Sequence, residues 1–373
     1  MANANEVMTS TRDRFHGCLL AGAVGDALGA PVEFMSRGEI LRRFGPDGIT
    51  TYAPAFGGIG RITDDTQLTL FTAEGLLRAW VRLSFEGISA VPGVTRNAYL
   101  RWLRTQDEAP AEVIVEAAGR DGWLIQQPEL HSRRAPGATC LQALRALESS
   151  DGEVRNDSKG CGGVMRVAPV GLFLWMPDIP QAPQHVFRLA ADLAGLTHGH
   201  PTGQLSAGVL AVLVLSLTCD AGLDSALATA KAILVRYPAH EETLAAIDEA
   251  EALARSDLPR EAAIARLGQG WVAEEALAIS IYCALVARSL RDGIILAVNH
   301  DGDSDSTGAI TGNLLGAMQG AGAIPGEWLE PLELRNVIMD IADDLYDYRD
   351  WDIGEQGRSV ALNERVWIKY PGC

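Results

Sequence analysis

The stretch GDSDSTGAITGNLLGAMQG, residues 302–320, decides the fold. Glycine recurs in it every four residues, so the glycines lie along one face of a helix. The stripe comprises Gly308, Gly312, Gly316 and Gly320, and Gly22, Gly25 and Gly29 form a similar one near the N-terminus. Glycine inside a helix costs about 1 kcal/mol relative to alanine. The repetition therefore predicts two central helices whose backbones approach closely.

Helical periodicity continues through the rest of the chain, and convincing alternating strands are scarce. The predicted helices cover residues 12–30, 65–80, 138–147, 186–196, 204–217, 223–235, 241–254, 273–290 and 306–321. Segments 43–62, 121–137 and 151–163 are rich in glycine, proline and charge and are predicted to be loops. We therefore expect a compact all-α fold with one domain at 12–350, an N-terminal tail at 1–11 and a C-terminal extension at 351–373.

Charge and composition exclude several classes of protein. Thirty-one Lys plus Arg against 48 Asp plus Glu give a net charge of −17, which argues against nucleic-acid partners and anionic membranes. The six cysteines are scattered, and no secretory signal is visible. The longest apolar run, residues 205–219, is interrupted by polar residues and predicts a core helix. We expect a cytoplasmic protein, and a monomer.

The helix of the opening stretch begins beside acidic residues, at Asp303, Asp305 and Ser306. Alternating acids resemble a Ca²⁺ loop, but an EF-hand needs glycine at the sixth position and glutamate at the twelfth. Counted from Asp301, those positions hold Ser306 and Gly312, so the match fails. A solvated acidic turn remains an alternative, although the apolar helix that follows would pull this segment towards the core.

Two further acidic segments are candidates for the same site. One is the start of a predicted helix, at Thr63, Asp64 and Asp65. These residues hold more side-chain oxygens than an N-terminal cap needs. Asp26 interrupts an apolar helix, and Glu33 follows it. If these side chains converge with those of residues 303–306, they form an all-oxygen site for hard divalent cations such as Mg²⁺ or Mn²⁺. Two ions roughly 3.5–4 Å apart would neutralise so many carboxylates.

Residues 156–166 form a glycine-rich segment that enters a helix but is neither a P-loop nor a dinucleotide-binding motif. Free amides at Gly162 and Gly163 beside Arg166 predict a cradle for a diphosphate, and a plain turn is the alternative. His198 and His200 lack the further ligands of a zinc site, so we interpret His198 as a ligand-contacting residue.

Taken together, these motifs resemble the ADP-ribosylglycohydrolase family, which includes ADP-ribosyl-arginine hydrolases and the dinitrogenase-reductase-activating glycohydrolase. The resemblance covers residues 12–325 and rests on five motifs in the same order. They are GDALG with Glu33, TDDTQ at 63–67, GGVMRVAP at 162–169, Thr197 with His198, and GDSDS at 302–306 with GAI at 308–310.

The resemblance implies an all-α fold around a binuclear Mg²⁺ centre. The implied metal ligands are Thr63, Asp64, Asp65, Asp303, Asp305 and Ser306. The implied substrate-binding residues are Asp26, Gly162, Gly163, Met165, Arg166 and His198. Asp65 or Glu33 would be the catalytic base. Asp301 stands where the family often has glycine and would add charge near the metal.

The implied activity is Mg²⁺-dependent hydrolysis that removes ADP-ribose from modified protein side chains, with arginine as the favoured acceptor. Its partners would be ADP-ribose and ADP-ribosylated proteins. The alternatives are the same chemistry on ADP-ribosyl-serine or O-acetyl-ADP-ribose, and a non-catalytic protein that only binds ADP-ribose. None of the matched acidic positions has lost its oxygen, which favours catalysis.

Overall fold

A computed structural model describes residues 9–106, 121–146, 154–176, 182–354 and 357–372. These residues contain 17 α-helices and short 3₁₀ turns, and within them no β-strand forms beyond isolated bridges such as Gly160–Val272. The all-α prediction is therefore confirmed.

The helices follow one another closely along the chain. They are α1 (Thr11–Gly29), α2 (Arg37–Phe44), α3 (Asp64–Glu86), α4 (Val91–Thr105), α5 (Ala138–Arg145), α6 (Ala168–Phe173), α7 (Pro183–Ala194), α8 (Pro201–Thr218), α9 (Leu223–Leu234), α10 (Glu241–Ala254), α11 (Arg260–Leu267), α12 (Ala273–Val286), α13 (Leu290–Val298), α14 (Ser304–Gln319), α15 (Gly326–Leu329), α16 (Arg335–Asp347) and α17 (Val360–Lys369).

The two glycine stripes pack against each other in the centre of the molecule. A Cβ atom added at Gly312 of α14 would lie 2.0 Å from the carbonyl oxygen of Ala21 in α1. A Cβ atom at Gly25 of α1 would lie 2.0 Å from the carbonyl oxygen of Gly308. The two backbones are therefore too close for any side chain at these positions, and the predicted helix pair is confirmed.

Several helix boundaries differ from the predictions. The predicted helix at 273–290 ends at Val286, because Ala287 is extended, and the Ser289 hydroxyl caps α13 by accepting a hydrogen bond from the Asp292 amide at 3.1 Å. Further helices form that were not predicted, namely α2, α4, α6, α11, α13, α15, α16 and α17. The end of the predicted helix at 138–147 and residues 151–153 of one predicted loop lie outside the described residues.

The predicted C-terminal extension lies against the rest of the chain where it is described. Tyr370 is fully buried, and the fully buried Arg78 donates a hydrogen bond to the carbonyl of Pro371 at 3.2 Å. At the other end, Ser10 caps α1 by accepting a hydrogen bond from the Asp13 amide at 3.1 Å. Residues 1–8 of the predicted tail lie outside the described part.

Helix α8 contains the apolar run noted in the sequence. By length and composition it could cross a membrane, but 83% of its apolar window is buried inside the protein. It therefore packs as a core helix, as predicted.

Candidate active site

A cavity of about 330 Å³ opens where α1, α3 and α14 converge. One wall is formed by residues 135–140, and another by residues 160–162 with Met165 and His198. Phe34 and Trp271 stand at its edge. Its acidic part is formed by Glu33, Asp64, Asp65, Asp303, Asp305 and Ser306. The structure thus brings together acids that lie far apart in the sequence.

The N-terminus of α3 is held in place by Asp26. Both carboxylate oxygens of Asp26 accept a hydrogen bond from the Thr63 amide at 3.0 Å, and one also accepts from the Thr66 amide at 3.1 Å and from the Thr66 hydroxyl. Asp26 is fully buried behind the cavity and does not line it. Its described contacts position the start of α3, and the substrate contact that the resemblance implied stays a prediction.

The first turn of α14 holds the second group of acids. Asp303 caps the helix by accepting from the Ser306 amide at 3.3 Å, and its own amide donates to the carbonyl of Gln269 at 2.8 Å. Gly302, before it, has a φ of 122°, and a Cβ atom there would lie 2.1 Å from that same carbonyl oxygen. This turn therefore requires glycine, and it aims Asp303 and Asp305 into the cavity.

The acids lie close enough to share a cation. Glu33, Asp303 and Asp305 each place one carboxylate oxygen within 4.8 Å of the other two. Oδ2 of Asp65 is buried and has no hydrogen-bond partner in the part of the chain that the structure describes. A buried, unpaired carboxylate oxygen beside three other acids is unfavourable unless positive charge is present. The all-oxygen donor set fits a hard divalent cation such as Mg²⁺.

Burial and mutual repulsion shift the titration of this cluster. Burial first, and then the charges of Asp305, Asp303 and Asp64, raise the pKa of Glu33 to about 11. Burial and the charge of Asp305 raise the pKa of Asp26 to about 7. The same two causes raise the pKa values of Asp64 and Asp65 well above their ordinary value. Without cations the cluster therefore retains protons that isolated carboxyls would lose.

Two other predicted site residues do not line the cavity. Thr63 is fully buried, and its hydroxyl accepts a hydrogen bond from the Asp65 amide at 3.3 Å, so it caps α3. Gly163 lies behind Gly162, where an added Cβ atom would be 3.3 Å from Nδ1 of His198. Asp301, which was expected to add charge near the metal, is exposed and outside the cavity, where it accepts a hydrogen bond from the Arg37 amide at 2.6 Å.

Arg166 is buried and does not line the cavity, and its contact with a diphosphate stays a prediction. Its side chain is fully buried, stacks over the Tyr99 ring at 4.3 Å and donates to the Thr197 hydroxyl at 2.7 Å. The Thr197 hydroxyl lies 2.8 Å from Nδ1 of His198 and 3.5 Å from the carbonyl of Ala194. The hydroxyl has one hydrogen to donate to these two acceptors, and we assign it to the nearer one, Nδ1.

His198 is the member of this group that reaches the cavity. With Nδ1 accepting from Thr197, the ring carries its hydrogen on Nε2. This atom faces the glycine loop, since a Cβ atom added at Gly160 would lie 3.6 Å from it. Burial and the charge of Arg166 lower the pKa of His198 to about 3, so the ring is neutral. It therefore offers one hydrogen-bond donor to a ligand.

Several residues at the cavity were not predicted as site residues, among them Cys161, Phe34 and Trp271. The thiol of Cys161 lies 2.8 Å from Oδ2 of Asp303, and burial and that carboxylate raise its pKa well above the ordinary value. It is therefore a protonated thiol rather than a nucleophile. The sequence held one signal for the two aromatic residues. Phe34 directly follows the predicted site residue Glu33, and Trp271 directly follows a glycine.

The family model described as ADP-ribosylglycohydrolase matches residues 8–353. The chain belongs to the ADP-ribosylglycohydrolase family. This match confirms the resemblance and extends it at both ends.

Relatives within this family match along most of their length. The chain is 28% identical to an uncharacterised protein of Archaeoglobus fulgidus, over 90% of this chain and 96% of that protein. It is 24% identical to the ADP-ribosyl-[dinitrogen reductase] glycohydrolase of Rhodospirillum rubrum, over 87% of this chain and 92% of that protein. It is 22% identical to the ADP-ribosylarginine hydrolase Tri1 of Serratia proteamaculans, over 90% of this chain and 79% of that protein.

A solved structure agrees with these matches. It is described as an ADP-ribosylglycohydrolase-related protein complex and matches with a TM-score of 0.56 and 27% identity, covering 91% of this chain and 99% of that one. As a member of the ADP-ribosylglycohydrolase family with relatives named as hydrolases, the chain is an enzyme of the glycosyl hydrolase class.

Proposed function

We propose that the protein is a Mg²⁺-dependent hydrolase that removes ADP-ribose from modified arginine side chains of proteins. The observation that carries this proposal is the lining of the cavity. Its described lining includes Glu33, Asp64, Asp65, Asp303 and Asp305 but no lysine or arginine. Such a cavity favours divalent cations and a cationic leaving group such as guanidinium. Two relatives with the same domain are named for hydrolysis of ADP-ribosylated arginine or dinitrogen reductase.

The proposed reaction is attack of water on the C1″ carbon of the ribose, which breaks the bond to the arginine nitrogen. Two Mg²⁺ ions, or Mn²⁺ in their place, would be held by Asp64, Asp65, Asp303, Asp305 and Ser306. Thr63 remains a predicted ligand. Bound there, the cations supply positive charge beside the ribose and polarise its hydroxyl oxygens.

The side chains of the cavity would perform the proton transfer and the orientation. Glu33 is half-buried at the edge of the acidic cluster, so its carboxylate can reach a water molecule on the open side of the ribose. Asp65 is buried more deeply and holds its unpaired oxygen towards the cluster. We therefore favour Glu33 over Asp65 as the base that accepts the proton of the water.

The other walls would bind the ADP portion. The Cys161 amide of the 3₁₀ turn Cys161–Gly163 donates to the Trp271 carbonyl, and the next amide, that of Gly162, lies at the cavity wall and would donate to a phosphate oxygen. Nε2–H of His198 would add one donor. This arrangement binds an anion through neutral donors, so it does not require a cation in the wall.

The proposal is tested by incubating the protein and Mg²⁺ with separately prepared arginine-, serine- and O-acetyl-linked ADP-ribose and measuring the released ADP-ribose. We expect release from the arginine-linked substrate. Release from the serine or O-acetyl substrate alone would transfer the proposal to that acceptor. Binding of ADP-ribose without release from any substrate would identify a non-catalytic binding protein.

A matched pair of variants tests the site itself. Asp303→Ala removes an acid that lines the cavity, whereas Asp301→Ala removes an exposed acid two positions earlier that does not. We expect turnover to fall by about 10³-fold or more in the first variant and to stay within about twofold in the second. Full activity of both Asp303→Ala and Asp65→Ala would contradict the proposed metal site.

A cytoplasmic, monomeric enzyme acting on ADP-ribosylated proteins is also part of the proposal. The cytoplasmic location is supported by the free cysteines, three of which, Cys18, Cys140 and Cys283, are buried as thiols. Such thiols are typical of a reducing compartment.

A further inference from the structure

Two aromatic rings stand together at the edge of the cavity. The rings of Phe34 and Trp271 stack with their centroids 5.3 Å apart and their planes 18° from parallel. Phe34 is 69% exposed and Trp271 is 36% exposed, so one face of the pair remains open to solvent. Large aromatic side chains are usually buried, and an exposed stacked pair beside a polar cavity therefore indicates a binding surface.

The backbone holds both rings in this position. Phe34 has a φ of 66°, a conformation that non-glycine residues rarely adopt and that persists at functional sites when the surroundings impose it. The turn that carries it is fixed by hydrogen bonds from the Glu33 amide to Gly29 and from the Met35 amide to Val32. Trp271 is attached to the glycine loop, since its carbonyl accepts from the Cys161 amide at 3.2 Å.

The pair is placed next to the reacting end of the proposed substrate. Phe34 directly follows Glu33, whose carboxylate belongs to the acidic cluster with Asp303 and Asp305. A group that leaves the C1″ carbon beside this cluster therefore departs within reach of the Phe34 ring. A planar guanidinium stacks well on an aromatic face and is attracted by nearby carboxylates.

We propose that Phe34 and Trp271 form an aromatic platform that binds the guanidinium of the modified arginine and thereby sets the acceptor preference. This inference rests on the proposed function and adds the residues that would select among acceptors. A serine or acetyl leaving group has no planar cation and would gain little from the platform. The platform then favours arginine-linked ADP-ribose without contributing to the chemistry itself.

The test compares the binding of two ligands by isothermal titration calorimetry with Mg²⁺ present. One is ADP-ribose, and the other is a hydrolysis-resistant analogue of ADP-ribosyl-arginine in which a methylene group replaces the bridging nitrogen. For the unmodified protein we expect the analogue to bind about three- to tenfold more tightly than ADP-ribose. The ratio of the two affinities isolates the contribution of the arginine portion.

Variants of the platform should change this ratio and leave ADP-ribose binding unchanged. Phe34→Leu keeps an apolar side chain but removes the ring, and the ratio should fall to about one to twofold. Phe34→Tyr keeps the ring and should keep the ratio. Because Phe34 is exposed, both variants should fold, which ADP-ribose binding verifies.

Other outcomes separate this inference from the proposed function. If Phe34→Leu weakens both ligands equally, the platform binds the ADP portion, for example the adenine, and the inference is wrong. It is also wrong if the unmodified protein binds both ligands equally. If the protein binds neither ligand, the proposed function fails and the inference fails with it.

Discussion

The orientation of His198 is set by two residues that do not reach the cavity. Arg166 donates to Thr197, and the Thr197 hydroxyl in turn contacts Nδ1 of His198. With the Thr197 hydrogen assigned to Nδ1, these two hydrogen bonds place the ring hydrogen on Nε2, where a ligand can accept it. A metal-binding histidine is oriented in the same way by the group that binds its other ring nitrogen. The charge of Arg166 also helps to keep the imidazole neutral. A buried arginine thus determines which hydrogen bond the cavity offers.

Replacing Arg166 should therefore change the titration of His198. In Arg166→Met the side chain keeps its length but loses its charge, so the pKa of His198 should rise from about 3 towards its ordinary value. It should remain below that value, since burial is the larger cause. An NMR titration of the imidazole resonances measures this change, and the affinity for ADP-ribose should fall about tenfold as the tautomer is freed.

The control for this measurement is Arg188→Met on α7. The Arg188 side chain is 75% exposed and pairs weakly with Asp192, so its loss should leave the pKa of His198 unchanged. An unchanged pKa in Arg166→Met would contradict the proposed effect of Arg166 on His198.

At the scale of the helices, the close packing of α1 on α14 is the feature on which the acidic cluster depends. Helix α14 carries Asp305 at the cavity, α1 carries Asp26 behind it, and the glycines of the two helices set the distance between them. A shift of either helix would separate the carboxylates of the site. The glycine stripes and the acidic cluster are therefore parts of one arrangement.

Gly312→Ala should destabilise the protein strongly. The added Cβ atom would lie 2.0 Å from a backbone oxygen of α1, which cannot move aside as a flexible side chain would. Overpacking of this kind costs about 3 kcal/mol or more when backbone must shift. Chemical denaturation measures the loss in the free energy of unfolding.

Gly322→Ala is the matched substitution in open space. A Cβ atom at Gly322 has no heavy atom within 4 Å, so the free energy of unfolding should change by less than about 0.5 kcal/mol. Equal losses in the two variants would show that the interface tolerates a side chain at Gly312.

The sequence allowed prediction of the elements that carry strong patterns. The glycine stripes predicted the central helix pair, and the acids beside them predicted the acidic part of the cavity. Helix Arg335–Asp347 was missed although its sequence carries the pattern, since Ile338, Ile341, Ala342 and Leu345 are buried at three- and four-residue spacing. The pairing of Phe34 with Trp271 could not be predicted, since it depends on how two distant segments meet.

The site residues also divide into those whose position the sequence predicted and those whose position it did not. Glu33, Asp64, Asp303 and Asp305 line the cavity as their oxygen-rich segments suggested. The direction of the Arg166 side chain could not be read from the sequence, because a buried arginine and a ligand-binding arginine have the same pattern. Tyr99 and Thr197 decide that direction, and they lie far from Arg166 along the chain.

For the whole molecule, the net charge of −17 includes a buried cluster with its own effect on stability. In the unfolded chain, aspartate and glutamate titrate at about pH 4. In the folded protein without cations, Asp26 titrates at about 7 and Glu33 at about 11. Between these values the folded state binds more protons than the unfolded state, so the free energy of unfolding falls as the pH rises.

The thermal stability of protein prepared with a chelator should therefore decrease from pH 5 to pH 8. Bound divalent cations favour the deprotonated carboxylates, so Mg²⁺ should stabilise the protein more at pH 8 than at pH 5. A concentration of 100 times the dissociation constant adds about 2.7 kcal/mol for one site. Differential scanning calorimetry across the pH range, with and without Mg²⁺, measures both effects.

Asp305→Asn separates the cluster from the rest of the acidic surface. It removes a charge that raises the pKa values of Glu33, Asp64 and Asp65, so the chelated protein should gain about 1 kcal/mol at pH 8 and lose much of its pH dependence. The stabilisation by Mg²⁺ should disappear in the same variant, because a proposed ligand is lost. Asp301→Asn removes an exposed acid outside the cavity and should leave both properties unchanged. If the two variants behave alike, the acidity acts as a general surface property, and the cluster is not a cation site.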